Sequence, residues 1–552
     1  MSNKEIAKIF KLLAGLTELH GGNTFRIRSY ASVSRKIGSM GTQLADVPNQ
    51  QLSQLEGIGS NTAQKITTLL QTGSFPALND LLEKTPKGVL DVMNIKGLGA
   101  KKVKVLWEDL GIESLGELLY ACAENRLITL KGFGVKTQAN IKKSVEYVLA
   151  NVHKYRYAKL EPEALSLLAD FDQMDAFEQV SFTGAIRRRC EVLERIEILV
   201  ASDDIRDLED ACESLDIAIE QQDEAILQGK TGSGTPIVLY HALPRQYVYR
   251  LFETTGSVEH IEQLKSWFSF PDFGLQSEED LYERCGQPFI VPEMREPELI
   301  MAPIRGTNLP QLITLSDIKG IIHSHSTYSD GRHKLADMAK ACQKLGYEYL
   351  AISDHSKSAF YANGLNEARI EAQHREIDQL NGTFNNFRIF KSIESDILSD
   401  GRLDYDVDVL EQFDFVIASI HFNLKMPEER AMRRLITAIE NPYTSMLGHP
   451  TGRLILSRPG YPINHKKIID ACAANGVVIE LNANPHRLDI DWRWIPYCME
   501  KGVMISINPD AHSKEGIKDV RYGVYAARKG GLSKDMTFNA KSRAEIENYF
   551  RV

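Results

Sequence analysis

The sequence predicts a multidomain chain with an all-α region over residues 1–150, a central α/β domain over 151–300, a linker over 301–314 and a C-terminal α/β distorted barrel over 315–552. Three observations predict this. Residues 1–150 read as short helices, with strand patterns scarce. After Tyr155-Arg156-Tyr157 the pattern turns to mixed strands and helices. From Ile318 onward, apolar runs alternate with helical patterns, as repeated βα units do.

Composition narrows the classes. The chain is 43% apolar and 25% charged, and no run is long enough to span a bilayer, so no membrane partner is expected. The N-terminus carries Lys4, Glu5, Lys8 and Lys11 around a short apolar patch and reads as an amphipathic helix, not a signal peptide. The seven cysteines are scattered and lack C-x-x-C spacing, which argues for reduced thiols and the cytoplasm. Net charge is −9 but uneven: residues 1–150 hold 19 Lys and Arg against 13 Asp and Glu, +6, leaving −15 on the remainder. A basic part on an acidic chain suggests a polyanion partner for that part.

The basic part holds a loose repeat: Gly57-Ile58-Gly59, Gly97-Leu98-Gly99 and Gly132-Phe133-Gly134, each followed by a helical pattern. The glycines allow a tight turn and close backbone approach, and the free amides of the next helix can bind phosphate without reading a base. Lys101, Lys102 and Lys136 fall just after their glycine pairs, where they can add phosphate contacts. The pattern resembles the helix-hairpin-helix motif, which implies DNA gripped through its backbone. Upstream, Phe25-Arg26-Ile27-Arg28-Ser29-Tyr30 interleaves aromatics with arginines. Arg26 and Arg28 suit a phosphate or nucleotide end; the same stretch also fits a loop that packs Phe25 and Tyr30 into a core. It resembles the small DNA-end-binding domain of bacterial family X DNA polymerases.

The central domain contains Thr183-Gly184-Ala185, then Arg195-Ile196-Glu197-Ile198-Leu199-Val200, and later Ile237-Val238-Leu239-Tyr240. This resembles the family X nucleotidyltransferase pattern, in which a Gly-Ser turn precedes an Asp-x-Asp strand and a third aspartate lies on a neighbouring strand. That resemblance implies two Mg²⁺ ions held by three carboxylates. Here Ala185 stands for the serine, Arg195 for the first aspartate, Glu197 for the second and Val238 for the third. One carboxylate beside a guanidinium is a poor site for two hard cations. Templated nucleotide addition is therefore expected to be weak or absent, and dNTP binding is doubtful. The run Arg187-Arg188-Arg189 suits either a DNA end or a solvated face.

The C-terminal region opens on His323-Ser324-His325 and Asp330. Residues i and i+2 of a strand share a face, so both imidazoles are expected to aim at one point, with Asp330 folding back to it. Later apolar runs end in His355, Glu394, His421, His449, and the Asp510/His512 pair. Barrels of this kind gather catalytic groups at the C-terminal rim. Nine His and carboxylate donors exceed what one ion takes, so two or three divalent metals are implied, and the mix suits Mn²⁺, Zn²⁺ or Fe²⁺. The array, with Gly448-His449-Pro450 and Arg453, is similar to the PHP phosphoesterase domain on a TIM-like barrel, a resemblance that implies Mn²⁺ first, with Zn²⁺, Fe²⁺ or Mg²⁺ as alternatives. Together with the N-terminal parts, the resemblance spans nearly the whole chain: a bacterial family X DNA polymerase with a C-terminal PHP domain.

That resemblance implies a DNA repair enzyme, cytoplasmic and nucleoid-associated, acting as a metal-dependent 3′-5′ exonuclease on gapped, nicked or 3′ ends, with abasic-site cleavage implied as well. His323, His325 and Asp330 are expected in catalysis. Arg453 is expected either to neutralise phosphate charge or to serve as a structural ion-pair partner. The rival readings are an active gap-filling polymerase with a nuclease attached, a small-molecule phosphatase of the histidinol-phosphatase type, and a non-catalytic DNA-end scaffold.

Overall fold

The structure is a computed structural model that describes residues 1–267, 269, 274–297 and 311–549. The expected linker over 301–314 lies outside the described residues as far as 310. The chain divides into two compact units, Met1–Val152 and His153–Val552.

The first unit is helical throughout its regular elements: α1 (Asn3–Leu19), α2 (Thr24–Ser39), α3 (Ser60–Thr72), α4 (Pro76–Glu83), α5 (Lys87–Met93), α6 (Ala100–Leu110), α7 (Leu115–Ala123) and α8 (Val135–Leu149). Local chemistry sets the ends. Ser2 and Glu5 form a capping box at α1, Pro76 opens α4, and left-handed Gly73 and Gly111 close α3 and α6. The apolar faces, including Ile6, Phe10, Leu13, Ile66, Leu69, Val103, Leu106 and Ile141, form one core. The stretch around Arg26 is helix, not loop: Asn23 caps α2 by accepting from the Phe25 amide.

The second unit holds two sheets on one hydrophobic core. After the short pair β1 (Tyr155–Arg156) and β3 (Val192–Leu193), β2 (Gln179–Phe182), β4 (Ile196–Ala201), β5 (Ala218–Asp223), β6 (Ile226–Lys230) and β7 (Pro236–Ala242) form a mixed sheet in the order β2-β4-β7-β6-β5. Helix α9 (Tyr157–Asp172) packs on it, and a single-turn helix, α10 (Gly184–Arg187), follows β2. The parts expected as separate domains are tied by named contacts: Trp492 Nε1 donates to Glu191 at 3.1 Å, Arg521 pairs with Glu161 at 2.9 Å and buried Lys529 with Glu296 at 2.5 Å.

The second sheet is parallel: β8 (Gly320–Ile321), β9 (Tyr349–Ile352), β10 (Arg388–Asp396), β11 (Phe415–Ser419), β12 (Thr444–Leu447), β13 (Val478–Asn482) and β14 (Ile505–Asn508), in order. Near-continuous burial of Val, Ile, Leu and Phe along these strands is what a parallel sheet covered on both faces requires. The two edges nearly meet. Ser324 bridges Ala511 in parallel, and the Asn539 amide group donates to the Ile507 and Gly320 carbonyls. The result is a nearly closed barrel, and its His, Asp and Glu donors collect at or near the C-terminal ends of the strands.

Candidate functional site

All nine donors singled out in the barrel converge. They fall into four overlapping groups whose donor atoms lie within 4.8 Å of one another: His325/Asp330/His355/His512, His323/Glu394/His449, His323/His325/Asp510 and His355/Glu394/His421. Glu394 is the hub. Its Oε1 lies 3.0 Å from His449 Nε2, 3.1 Å from His421 Nε2 and 3.3 Å from His323 Nε2; its Oε2 lies 2.9 Å from His355 Nδ1 and 3.7 Å from His325 Nε2. Asp510 Oδ1 approaches His325 Nε2 at 3.1 Å, and Asp330 Oδ1 approaches His512 Nε2 at 3.3 Å.

The route to this convergence differs from strand alternation. β8 ends at Ile321, and His323 has φ +60°; His449 and Asp510 have positive φ as well, +21° and +51°. Three donors thus sit in left-handed backbone that non-glycine residues rarely adopt, held there by their surroundings. Buried Asp354 pins the β8 loop by accepting from the amides and hydroxyls of Ser326 and Ser329 and from Gln373. Glu394 lies within β10, not beyond its end.

Three partners orient the imidazoles. Glu480 Oε1 takes His323 Nδ1 at 2.6 Å, Asp396 Oδ1 takes His421 Nδ1 at 2.5 Å, and the Asp510 carbonyl takes His512 Nδ1 at 2.9 Å. Each leaves Nε2 aimed at the carboxylates, the arrangement metal-ligating histidines use. Glu480 and Asp396 were not singled out in the sequence. Both are strand acids whose histidine partners lie in loops after other strands, so no local pattern marks them.

Electrostatics describe a site that wants cations. Burial works against a charge on His323, yet Glu480, Glu394 and Asp510 outweigh it and push its pKa well up. Burial opposes a charge on His421 too, but Glu394 and Asp396 overcome it and raise its pKa to about 10. His512 rises to about 9 against burial, through Asp330 and Asp510. Burial, then the imidazoles of His512 and His355, draws His325 down to about 3. A second sign is that His323 Nε2, His325 Nδ1, His355 Nδ1, Glu394 Oε2 and His449 Nδ1 are buried with no hydrogen-bond partner. Buried polar atoms are rarely left so. The donor set, imidazole and carboxylate without thiolate, fits Mn²⁺, Zn²⁺ or Fe²⁺.

Of the two roles open to Arg453, the geometry gives the structural one. Its guanidinium pairs with Asp491 at 2.5 Å and donates to the Arg487 and Leu488 carbonyls. The arginine that reaches the cluster is Arg487, whose Nε lies 3.5 Å from Asp510 Oδ2. Nothing in the local sequence distinguishes it.

The mixed sheet is built differently. Glu197 on β4 pairs across from Val238 on β7, as the pattern placed them. Glu197 is buried, but its carboxylate is used up: Oε2 accepts from the Ala185 amide at 2.9 Å, and Oε1 lies 3.3 Å from Arg195 Nε. Arg187, Arg188 and Arg189 form neither a DNA face nor a solvated one. Arg187 binds Glu278 and Thr255, Arg188 binds Glu296 and the Thr255 carbonyl, and Arg189 lies over the rings of Tyr157 and Tyr525.

In the first unit, Gly57, Gly97 and Gly132 have φ of +83°, +96° and +90°, so the turn itself needs glycine. Gly59, Gly99 and Gly134 cap α3, α6 and α8 with ordinary negative φ, and a Cβ there would meet nothing. No internal contact calls for those second glycines; a molecule approaching the helix amides from outside would. Lys101 is exposed near Glu18, Lys102 lies over the Phe133 ring, and Lys136 is exposed on α8. Arg26 and Arg28 stand exposed in the first turns of α2, where the helix dipole disfavours cations, beside Phe25, itself 80% exposed. Phe25 does not enter the core.

Comparison with known proteins agrees with this division. Residues 1–75 match a helix-hairpin-helix domain, residues 89–146 a SAM-like helix-hairpin-helix tandem, and residues 322–484 a PHP domain. Over the full length of both chains the protein is 32% identical to a Bacillus subtilis (strain 168) protein named DNA polymerase/3'-5' exonuclease PolX. A probable phosphatase of Thermoanaerobacter sp. (strain X514) is 25% identical over 42% of this chain and 93% of its own. A probable phosphatase of Acetivibrio thermocellus is 29% identical over 29% of this chain and 63% of its own. No helix among the described residues is long and apolar enough to cross a membrane.

Proposed function

The chain belongs to the PolX family, with N-terminal helix-hairpin-helix domains and a C-terminal PHP domain, and from that premise we propose that it is a DNA repair nuclease. It hydrolyses phosphodiesters from the 3′ side of DNA ends or gaps at the barrel rim, and its polymerase-like sheet adds nucleotides weakly or not at all. The observation that carries this is the set of buried, unpartnered donor atoms around Glu394.

His323, His325, Asp330, His355, Glu394, His421, His449, Asp510 and His512 would hold two or three divalent ions, manganese first among them. When bound, the ions supply a nucleophile at neutral pH and charge compensation for the phosphodiester. The chain's own part is positioning. Glu480, Asp396 and the Asp510 carbonyl fix three imidazoles by their Nδ1 atoms. Arg487, beside Asp510, brings a guanidinium to the rim, where it can offset charge on a phosphoryl oxygen. Residues 1–150, through the glycine-paired helix starts, Lys101, Lys102, Lys136, Arg26 and Arg28, would track the DNA backbone. The functional boundaries follow the sequence reading: 1–150 for DNA binding, 151–300 for the polymerase-like part and 315–552 for hydrolysis.

Two other readings have support of their own. The relative's name includes DNA polymerase; against it stands the Glu197 carboxylate, already engaged by the Ala185 amide and Arg195. The phosphatase-named relatives match only a C-terminal share of the chain. One assay separates all three: a 5′-labelled primer–template with Mn²⁺ or Mg²⁺, with dNTPs, and with nitrophenyl phosphate as competitor. The proposal expects shortening of the labelled strand that the phosphate ester does not suppress. Robust extension, or ester hydrolysis without strand shortening, overturns it.

A further inference from the structure

Phe360 and Tyr361 are 88% and 69% exposed. An exposed phenylalanine forgoes the hydrophobic gain of burial, so a turn that needed only its shape would be expected to place polar residues there. These two sit at the mouth of the candidate metal centre. Their turn, Phe360–Ala362, begins five residues after His355. The Tyr361 ring centroid lies 6.1 Å from that of His355 and 6.4 Å from that of His421.

The turn is fixed rather than loose. Ala359 and Ala362 on either side of the aromatics are buried. Gly364 passes so close to the Ser356 carbonyl that a Cβ would lie 1.9 Å from it, and Arg369 holds the Asn363 carbonyl at 2.7 Å. Asp396 links the turn to the cluster: Oδ1 takes His421 Nδ1 at 2.5 Å, and Oδ2 accepts from the Ser358 hydroxyl at 2.7 Å. One carboxylate therefore sets both a donor imidazole and the base of the aromatic turn.

We propose that Phe360 and Tyr361 are the platform that receives the 3′-terminal nucleoside of the DNA strand, so that they determine substrate specificity in the reaction proposed above, on which this inference rests. Tyr361 lines the wall nearest the reacting phosphodiester, and Phe360, further out, stacks on the terminal base. Stacking on an aromatic face is sequence-tolerant, because every base has a π-face. The platform therefore selects nucleotides over compact phosphate esters without selecting among bases.

The test is a cycle of protein and substrate. Single strands ending in a normal nucleotide or in an abasic tetrahydrofuran are digested with Mn²⁺ by wild type, Phe360→Ala and Phe360→Trp. Loss of the Phe360 ring should lower kcat/KM on the base-bearing end by about 5- to 100-fold, the worth of one base–aromatic stack. On the abasic end Phe360→Ala should match wild type, and Phe360→Trp should keep the base-bearing rate. Separately, a terminal 2-aminopurine should be quenched on binding to wild type and not to Phe360→Ala. Equal loss on both ends, or no loss on either, overturns the platform. Quenching without any strand shortening keeps the platform and instead overturns hydrolysis as the function.

Discussion

Glu394 and Glu197 are both buried carboxylates on strands of the same compact unit, and they differ in what meets them. Around Glu394, five imidazoles crowd within 3.7 Å and Oε2 is left without a hydrogen-bond partner. Around Glu197, one oxygen is satisfied by a backbone amide and the other by a guanidinium, and the opposite strand offers Val238. A buried carboxylate alone says little about chemistry. A carboxylate crowded by imidazoles belongs to a donor set that suits divalent cations; one whose charge is met by an amide and a guanidinium is a strut. Beside the mixed sheet, other charges are met internally in the same way, Arg187 by Glu278 and Arg188 by Glu296.

The contrast can be sharpened from either side. Replacing Glu480 by Gln removes the charge that orients His323 while keeping the shape. It should weaken Mn²⁺ binding by about 10- to 100-fold, as loss of an outer-shell partner does, read by titration calorimetry; unchanged affinity would make Glu480 a bystander. Next come the two arginines. Arg487→Ala should lower kcat on DNA by about 10-fold or more with little change in melting temperature, since it loses charge compensation at the rim. Arg453→Ala should do the reverse, lowering melting temperature through loss of the Asp491 pair and two carbonyl contacts, with kcat largely kept.

A pH-dependent effect, on stability alone, lies in the polymerase-like part. Burial, then Arg295 and Arg188, draws His260 down to about 4. The unfolded chain, with an ordinary value near 6.5, takes up the proton first. His260 therefore contributes stability that is full above about 6.5 and lost as pH falls toward 4, on the order of 3 kcal/mol in all. His260→Gln should flatten the fall in melting temperature between pH 7 and pH 5. An equal fall in variant and wild type would contradict the assignment.

Much of the candidate centre was legible because its donors are rare residue types at the ends of apolar runs. His323-x-His325, Asp354-His355 and Asp510-x-His512 mark themselves, His421 and His449 follow strands, and Glu394 lies near the end of one. The reason offered for the first pair was not the operative one: left-handed backbone at His323, not strand alternation, turns its imidazole inward. Glu480, Asp396 and Arg487 were not legible, because their roles depend on partners 157, 25 and 23 residues away in sequence. The arginine run at 187–189 misled for a related reason. Charge predicts a wet face only when no buried acid is waiting, and Glu278 and Glu296 lie about a hundred residues downstream. The helix-hairpin-helix turns were read correctly as turns, since positive φ at a first glycine is a local demand; the structure adds that the second glycine is free of internal demand.

The most direct measurement is the time course of 5′-labelled DNA with Mn²⁺ under wild type, His323→Ala/His325→Ala and Glu197→Ala. The histidine pair should cost about 10³-fold or more in rate, because without it the water is no longer activated, while Glu197→Ala should shorten the strand as wild type does. If the double histidine variant still degrades the 3′ end at the wild-type rate, the barrel rim is not the active site.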